Sequence, residues 1–228
     1  MDNRYSKNKK MISQQEQEML KNSRVCVVGC GGLGGYVLEL LARLGVGQLT
    51  AVDGDRFDQT NLNRQLLSLE SNLGEYKAVA AKKRIEDVNS EIDVDIIIEF
   101  LNEENAEEIL LGHDLIIDAL DSINTRRIVQ EKAKALSIPF IHGAIAGWYG
   151  QVCTIMPGDD SLDYLYKSDV NHGEEKKLGN PSYTPALVAS IEVSEATKVL
   201  LDKGELIRNE VLYVDLLEGE FHKLPLKK

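Results

Sequence analysis

Short apolar runs and amphipathic stretches alternate along the first 150 residues of the chain. Continuous apolar runs such as residues 115–117 are typical of strands covered on both faces of a sheet, whereas apolar residues three or four positions apart are typical of helices. The pattern predicts strands at residues 24–29, 48–53, 93–98, 114–118 and 139–145, and helices at residues 13–22, 33–44, 76–89, 103–111 and 124–136.

The pattern changes after residue 150. We expect a strand at residues 151–156, a polar loop at 157–183, a helix opened by Pro185, and two short strands at 211–216 and 220–224. Together the elements predict an α/β fold: a Rossmann-like, mostly parallel sheet with helices on both faces and a C-terminal antiparallel extension. The divisions are an N-terminal helical arm (1–22), a core (23–156), the loop (157–183), and a C-terminal helix and strands (184–228) that complete the same domain.

A glycine-rich turn follows the first predicted strand. Gly29, Gly31 and Gly34 form a Gly-x-Gly-x-x-Gly motif at the start of a helix, where backbone amides can hold a nucleotide phosphate. The alternative is a tight strand–helix connection that binds nothing. Asp53 and Asp55 close the next predicted strand, about where a ribose-binding carboxylate is expected, although Asp53 could also cap a turn.

Three charged residues follow at successive points of the predicted sheet. The guanidinium of Arg64 suits the spread charge of a triphosphate, and Lys77 lies in a first helical turn, where a cation is disfavoured unless it has an anionic partner. Asp121 could cap the helix near Asn124 or hold Mg²⁺. Each residue alone is compatible with a solvated surface position. Their combination favours phosphate-transferring chemistry over hydride transfer.

Composition narrows the class of protein. The chain has 228 residues, of which 43% are hydrophobic, and a net charge of −11, which argues against a broad nucleic-acid surface. No apolar run reaches the roughly 18 residues that a membrane span needs, so we expect no membrane association and a cytoplasmic location. The three cysteines, Cys26, Cys30 and Cys153, form no Cys-x-x-Cys pair, which predicts that no zinc site is present.

The chain resembles the ThiF/MoeB/HesA family, the bacterial relatives of ubiquitin-activating enzymes, over nearly its whole length. The resemblance rests on six motifs: Gly-x-Gly-Gly-Leu-Gly, Asp-x-Asp, Asn-Leu-x-Arg-Gln, Gly-x-x-Lys, Asp-x-x-Asp followed by Arg126, and Glu-Ala-Thr-Lys at residues 195–198. It implies ATP-dependent adenylation of the C-terminal glycine of a small ubiquitin-like sulfur carrier, of the thiamine or molybdopterin type. Residues 23–156 would then bind ATP, and residues 157–183 would cross over the carrier tail.

The resemblance also implies roles for single residues. The phosphate loop would be Gly29, Gly31, Gly32 and Gly34, and Asp53 would bind the ribose, with Asp55 beside it. The triphosphate would contact Asn61, Arg64, Gln65 and Lys77, with Arg126 nearby, and Asp121 would bind Mg²⁺. Arg64, Lys77 and Asp121 are thus the expected catalytic residues.

Family members are homodimers in which a basic residue near the N-terminus reaches the partner's nucleotide. At the matching position this chain carries Lys7 instead of arginine, which keeps the charge and loses the bidentate fork. Some members have a cysteine in the loop before the late helix, whereas residues 178–184 contain no thiol. We therefore expect adenylation without a covalent cysteine step.

Two other functions remain open at the level of sequence. One is a nicotinamide- or flavin-dependent oxidoreductase on the same turn, which would leave Arg64, Lys77 and Asp121 without a role. The other is a nucleotide-binding scaffold without turnover. If the protein is an adenylating enzyme, the acceptor could also be a tRNA nucleoside or a peptide carboxylate, and the net charge of −11 weighs against tRNA.

Overall fold

Eight strands form one sheet in the order β3-β2-β1-β4-β5-β6-β7-β8. The computed structural model describes residues 3–166 and 178–226. Neighbouring strands from β3 to β5 are parallel, and the pairs β5–β6, β6–β7 and β7–β8 are antiparallel. The strands are β1 (Arg24–Val28), β2 (Gln48–Val52), β3 (Asp93–Ile97), β4 (Leu115–Asp118), β5 (Phe140–Ala146), β6 (Tyr149–Ile155), β7 (Glu210–Asp215) and β8 (Glu220–Pro225).

Helices cover both faces of the sheet. Alternate residues of β1 belong to different buried clusters: Val25 and Val27 pack with α2 and the last helix, whereas Cys26 and Val28 pack with α4 and α5. This arrangement confirms the predicted fold class. The helices are α1 (Gln14–Asn22), α2 (Gly32–Leu44), α3 (Lys77–Val88), α4 (Ala106–Leu110), α5 (Ile123–Leu136), α6 (Ser161–Leu165) and α7 (Tyr183–Leu201), with 3-10 turns at Asn3–Tyr5, Gln59–Asn61 and Glu70–Asn72.

Local sequence explains where several helices begin and end. Ser13 caps α1 through a capping box in which its hydroxyl accepts from the Glu16 amide and the Glu16 carboxylate accepts from the Ser13 amide. Helix α2 ends at Gly45, whose left-handed φ of 85° favours glycine. In the part of the chain that the structure describes, no helix is both long and apolar enough to cross a membrane.

The structure differs from the sequence-based expectation in a few places. The stretch predicted as a polar loop contains α6, because Leu162 is fully buried in the cluster with α4 and α5. Residues 167–177 of that loop lie outside the described residues. Helix α4 is shorter than predicted, β6 begins two residues earlier at Tyr149, and α7 begins at Tyr183 and ends at Leu201.

The strand order creates the place where a ligand can bind. Strand β1 lies between β2 and β4, so the chain connections to its two neighbours run to opposite sides of β1. They leave a crevice at the carboxyl ends of these strands. The glycine turn, Asp53 and Asp121 all follow the carboxyl ends of these three strands. The topology therefore gathers residues that are far apart in sequence.

Candidate functional site

A cavity of about 690 Å³ lies at this edge of the sheet. Its volume falls in the range of small-molecule sites. Most of the residues that the sequence singled out line it: Gly29, Gly31, Gly32, Asp53, Asp55, Arg64, Gln65, Lys77, Asp121 and Arg126. Asn61, Gly34 and Lys7 do not belong to the lining.

The glycine turn is built for close approach. Gly29 has a φ of +103°, and a Cβ placed there would lie 2.6 Å from the Ala119 carbonyl oxygen. A Cβ at Gly34 would overlap the Gly29 carbonyl group, so Gly34 allows α2 to pack directly on the turn. Gly31, the N-cap of α2, has no side chain to cap the first amides. Those amides and the positive end of the helix are suited to an anion.

Asp53 organises the turn from the neighbouring strand. Its Oδ2 accepts a hydrogen bond from the Cys30 amide at 2.7 Å, and its Oδ1 accepts one from the Asp55 amide at 2.8 Å. The carboxylate therefore joins the end of β2 to the glycine turn while it lines the cavity. Its binding of a ribose stays a prediction.

Lys77 has an anionic partner, as its place in a first helical turn required. Its Nζ lies 2.9 Å from Asp55 Oδ2, and its backbone amide donates to the Asp55 carbonyl at 2.9 Å. Lys77 is buried and Asp55 is largely exposed. The lysine is thus fixed at the cavity wall beside a carboxylate that is free to turn toward solvent.

The polar segment after the Gln59–Asn61 turn contributes Arg64 and Gln65. Arg64 Nη1 donates to the Thr60 carbonyl and to Asn63 Oδ1, both at 2.9 Å, and these bonds direct the half-buried Arg64 side chain along the cavity rim. Gln65 is buried, and its Oε1 has no hydrogen-bond partner among the described residues. Asn61 Oδ1 accepts from the Asp58 amide at 3.0 Å, and the contact of Asn61 with a triphosphate stays a prediction.

Asp121 is exposed at the cavity, beyond the end of β4. The N-cap of α5 is Ser122, whose hydroxyl accepts from the Thr125 amide at 3.3 Å. Asp121 is therefore not the cap that the sequence allowed. Within residues 3–166 and 178–226 its carboxylate makes no hydrogen bond or ion pair, so its oxygens remain available to a ligand.

A buried polar network supports this edge of the cavity, and His142 and Tyr166 belong to it although no motif singled them out. Asp118 is fully buried, and its Oδ2 lies 3.2 Å from Arg126 Nε and 2.6 Å from His142 Nδ1. The Tyr166 hydroxyl lies 2.9 Å from His142 Nε2 and accepts from Arg126 Nη1 at 3.0 Å and from Gln151 Nε2 at 2.7 Å. Burial lowers the pKa of His142, against the opposing effect of Asp118, and raises the pKa of Tyr166 to about 12.

Glu192 of α7 is buried next to this network. Neither carboxylate oxygen has a hydrogen-bond partner among the described residues, and the group packs against Gly143 of β5. Burial, with a smaller contribution from the charge of Asp118, raises the pKa of Glu192 well above its ordinary value, although Arg126 acts in the opposite direction. Burial therefore favours the protonated form of the Glu192 carboxyl in the folded protein.

The thiols are inaccessible. Cys26, Cys30 and Cys153 are fully buried and unpaired. Burial raises the pKa of the Cys26 thiol to about 12, and it also raises the pKa values of the Cys30 and Cys153 thiols well above their ordinary value. These properties are those of structural cysteines, not of nucleophiles.

Phe100, Gly179 and Asn180 are among the lining residues that the sequence reasoning did not assign to the site. Phe100 follows β3 and is 68% exposed, and Gly179 and Asn180 bring the end of the long loop to the cavity. The loop end is held where the Gly147 amide donates to the Gly179 carbonyl at 2.7 Å. Phe100 could have been found from its place after the carboxyl end of a predicted parallel strand, whereas no local signal marks Asn180.

Two curated relatives are similar to this chain over most of its length. A sulfur carrier protein adenylyltransferase of Thermus thermophilus is 36% identical over 226 residues, which cover 95% of this chain and 83% of that protein. A sulfur carrier protein ThiS adenylyltransferase of Bacillus subtilis is also 36% identical, and the match covers 96% of this chain and 67% of that protein.

A structural comparison supports the same fold. The crystal structure of Escherichia coli MccB with ATP superposes with a TM-score of 0.83 at 22% identity, covering 100% of this chain and 72% of that chain. At that level of identity the likeness concerns the fold alone. The model of the ThiF family matches residues 5–228, and the chain therefore belongs to the ThiF family, as its motifs predicted.

Proposed function

We propose that this chain uses ATP to adenylate the C-terminal glycine carboxylate of a small ubiquitin-like sulfur-carrier protein, with release of pyrophosphate. The observation that carries the proposal is the cavity in which an uncapped, glycine-lined helix N-terminus meets Arg64, Lys77 and Asp121. Helix-terminal amides and two cations suit a triphosphate, and a carboxylate beside them suits its metal ion.

Membership of the ThiF family and the names of the two relatives confirm the expected enzyme class, an ATP-using adenylyltransferase. The oxidoreductase alternative is not favoured, because hydride transfer would leave Arg64, Lys77 and Asp121 without a function at the phosphate end of the cavity. The scaffold alternative is not favoured either, since the relatives are named for a reaction.

The reaction is an in-line displacement at phosphorus. A carboxylate oxygen of the acceptor forms a bond to the α-phosphorus, the bond from that phosphorus to the bridging oxygen breaks, and pyrophosphate leaves with the electron pair. The protein takes little covalent part in this reaction. It accelerates the displacement by positioning the reactants and neutralising their charge. Arg64 and Lys77 oppose the charge that develops on the pyrophosphate, and the turn amides orient the phosphates.

Asp121 is the residue that we assign to Mg²⁺. Its oxygens have no partner within the described residues, and a single carboxylate combined with phosphate oxygens is a usual donor set for this ion. When bound, Mg²⁺ neutralises part of the phosphate charge. We assign no zinc site, because the cysteines are buried in separate elements.

The acceptor tail is proposed to enter past Gly179 and Asn180, the part of the long loop that lines the cavity. Because these residues and the cysteines offer no accessible thiol, the product is the acyl-adenylate itself. We also propose that the enzyme is a cytoplasmic homodimer in which Lys7, exposed and outside the cavity of its own subunit, serves the partner's nucleotide.

Pyrophosphate release with three classes of acceptor tests the proposal. A small carrier ending in Gly-Gly should stimulate release from ATP, while the same carrier without its last glycine serves as the matched control. Stimulation by tRNA or by an unrelated short peptide alone would move the assignment to those acceptors. Reduction of NAD or a flavin without pyrophosphate release would overturn it.

A further inference from the structure

Leu120, the residue before Asp121, has both its backbone amide and its backbone carbonyl bound by buried charged side chains. Asp118 Oδ1 accepts from the Leu120 amide at 2.8 Å, and Arg126 Nη2 donates to the Leu120 carbonyl. Asp118 is 0% exposed and Arg126 is 3% exposed. Burying two charges is costly, and their hydrogen bonds to one turn show what the pair does in the fold: it fixes the turn.

Arg126 uses much of its donor fork on protein groups. Besides the Leu120 carbonyl, it donates to the Tyr166 hydroxyl at 3.0 Å and to the Gly143 carbonyl at 3.4 Å, and its Nε lies 3.2 Å from Asp118 Oδ2. Arg126 lines the cavity, but the hydrogen bonds of its guanidinium are made to protein groups behind the cavity surface. A direct phosphate contact would compete with them.

The Tyr166 hydroxyl is the junction that holds Arg126. With His142 neutral and its proton on Nδ1, that proton is donated to Asp118, and Nε2 accepts from the Tyr166 hydroxyl at 2.9 Å. The same hydroxyl oxygen accepts from Arg126 and from Gln151. The Tyr166 hydroxyl thus donates one hydrogen bond and accepts two, which uses its full hydrogen-bonding capacity. Tyr166 itself does not line the cavity.

We infer that Tyr166 is a positioning residue for the nucleotide site: its hydroxyl fixes Arg126, and Arg126 with Asp118 fixes the backbone of Leu120 on both sides and hence the position of Asp121. Arg126 then serves the phosphates through this turn and not as their ligand. The inference deepens the proposed function and rests on it where it assigns Mg²⁺ to Asp121.

The test is Tyr166→Phe, which keeps the ring and removes the hydroxyl, with Tyr164→Phe as its matched control. Tyr164 lies in the same short helix and is 53% exposed. In the protein without ligands, hydrogen exchange at the Leu120 amide should accelerate about tenfold or more in Tyr166→Phe and stay unchanged in Tyr164→Phe. Calorimetry of ATP binding should show a 10- to 100-fold rise in the Mg²⁺ concentration needed, the usual effect of removing a group that orients a metal ligand.

ATP binding in EDTA separates positioning from phosphate binding. It should stay within about twofold of the wild type in Tyr166→Phe and in Arg126→Lys, since both variants act through the metal ligand. A large loss of metal-free ATP binding in Arg126→Lys would make Arg126 a phosphate ligand and overturn the inference. Unchanged Leu120 exchange and unchanged Mg²⁺ dependence in Tyr166→Phe would also overturn it.

Circular dichroism and thermal unfolding check that each variant is folded. If Tyr166→Phe is unfolded at the assay temperature, Arg126→Lys carries the same expectations for Leu120 exchange and Mg²⁺ dependence. The readouts need no acceptor. A wild-type protein that never releases pyrophosphate would therefore contradict the proposed function, whereas Leu120 exchange still decides the role of Tyr166.

Discussion

The ammonium group of Lys77 lies 2.9 Å from the Asp55 carboxylate, with the lysine side chain 9% exposed and the aspartate side chain 57% exposed. The buried cation therefore has a counter-charge before any nucleotide is present. A triphosphate in the cavity offers Lys77 a second anion, and Asp55 can turn to solvent at little cost. Lys77 therefore has an anionic partner in both states, Asp55 without the nucleotide and the triphosphate with it.

Lys77→Ala should lower the rate of pyrophosphate release by about 100-fold or more, as loss of a transition-state charge contact does. Lys83→Ala is the matched control in the same helix, because Lys83 is 65% exposed and pairs with Glu75 away from the cavity. Steady-state rates with ATP and a Gly-Gly carrier measure both. Equal rates for the two variants would remove Lys77 from the mechanism.

Arg64→Ala and Asp121→Ala should each reduce adenylation by about 100-fold or more while the fold is kept. Arg64 is half-buried and Asp121 is exposed, and neither belongs to the hydrophobic core, so their loss opens no cavity there. Pyrophosphate exchange measures the activity, and thermal unfolding measures the stability. Exposed charges outside the cavity supply the controls: Arg43→Ala, which loses a pair with Glu39, and Asp87→Ala in α3.

Much of this site could be predicted because its residues follow the ends of buried parallel strands. Apolar runs locate β1, β2 and β4, and in a parallel sheet their carboxyl ends meet at one edge. Asp53 and Asp121 are therefore neighbours of the glycine turn whatever the details of the loops. Lys77 was marked by an unfavourable position in its helix, and its buried pair with Asp55 gives the reason.

The rest depends on contacts between distant segments. His142 meets Asp118 because β4 and β5 pair in register, and the Tyr166 hydroxyl reaches His142 from the end of α6, in a stretch that the sequence presented as a polar loop. Asn61 matched a motif, yet its amide caps a 3-10 turn, and Asn180 lines the cavity only because the loop end returns to it. The periodicity of apolar residues carries no information about such contacts between distant segments.

Glu192→Gln should stabilise the fold more at pH 8 than at pH 5. The raised pKa of Glu192 means that the folded state keeps a proton which the unfolded chain releases above its ordinary pKa of 4.5. Between pH 4.5 and the raised pKa of Glu192 in the folded state, the free energy of unfolding falls as pH rises, by up to about 1.4 kcal/mol per pH unit. Glutamine has no proton to lose, so its advantage grows with pH.

Thermal unfolding of the wild type and Glu192→Gln at the two pH values measures this effect. Comparing pH values cancels the pH-independent cost of burying an amide. Glu131→Gln, on the exposed side of α5, should show no comparable pH-dependent gain. A gain that is equal at pH 5 and pH 8 would mean that Glu192 is ionised in the folded protein.

Adenylation should not depend on the thiols. Cys153→Ala should keep acyl-adenylate formation near the wild-type rate and lose about 1 kcal/mol of stability from the small void that it leaves in a packed strand. Cys26→Val should behave similarly. Cys30→Ala is the stricter test, because the Cys30 amide is bound by Asp53 in the phosphate turn.

Mass spectrometry of the reaction mixture provides the second measurement. We expect the carrier adenylate and no carrier–enzyme adduct, since all three thiols are buried and hard to ionise. An adduct that disappears in Cys153→Ala would make that cysteine a nucleophile and require the long loop or β6 to open.

Mixing two inactive variants should restore activity if the enzyme is a homodimer with shared sites. Lys7→Ala removes a side chain that one subunit contributes to its partner's site. Asp121→Ala removes a side chain that a subunit contributes to its own cavity. In a mixed dimer, one of the two sites receives an intact Lys7 and an intact Asp121, because the symmetry of a closed dimer places the same patch on both sides.

Each variant alone should be nearly inactive in pyrophosphate release, and subunit exchange should bring back a measurable fraction of the wild-type rate. The control is a mixture of Asp121→Ala with Arg64→Ala, two residues that line the same cavity of one chain, which cannot complement each other by this route. Sedimentation must show a dimer at the concentration of the assay. Full activity of Lys7→Ala by itself would show that the exposed N-terminal lysine serves neither subunit's nucleotide. Recovery in the control mixture would show that each site takes cavity residues from both chains, which the fold of one chain does not indicate.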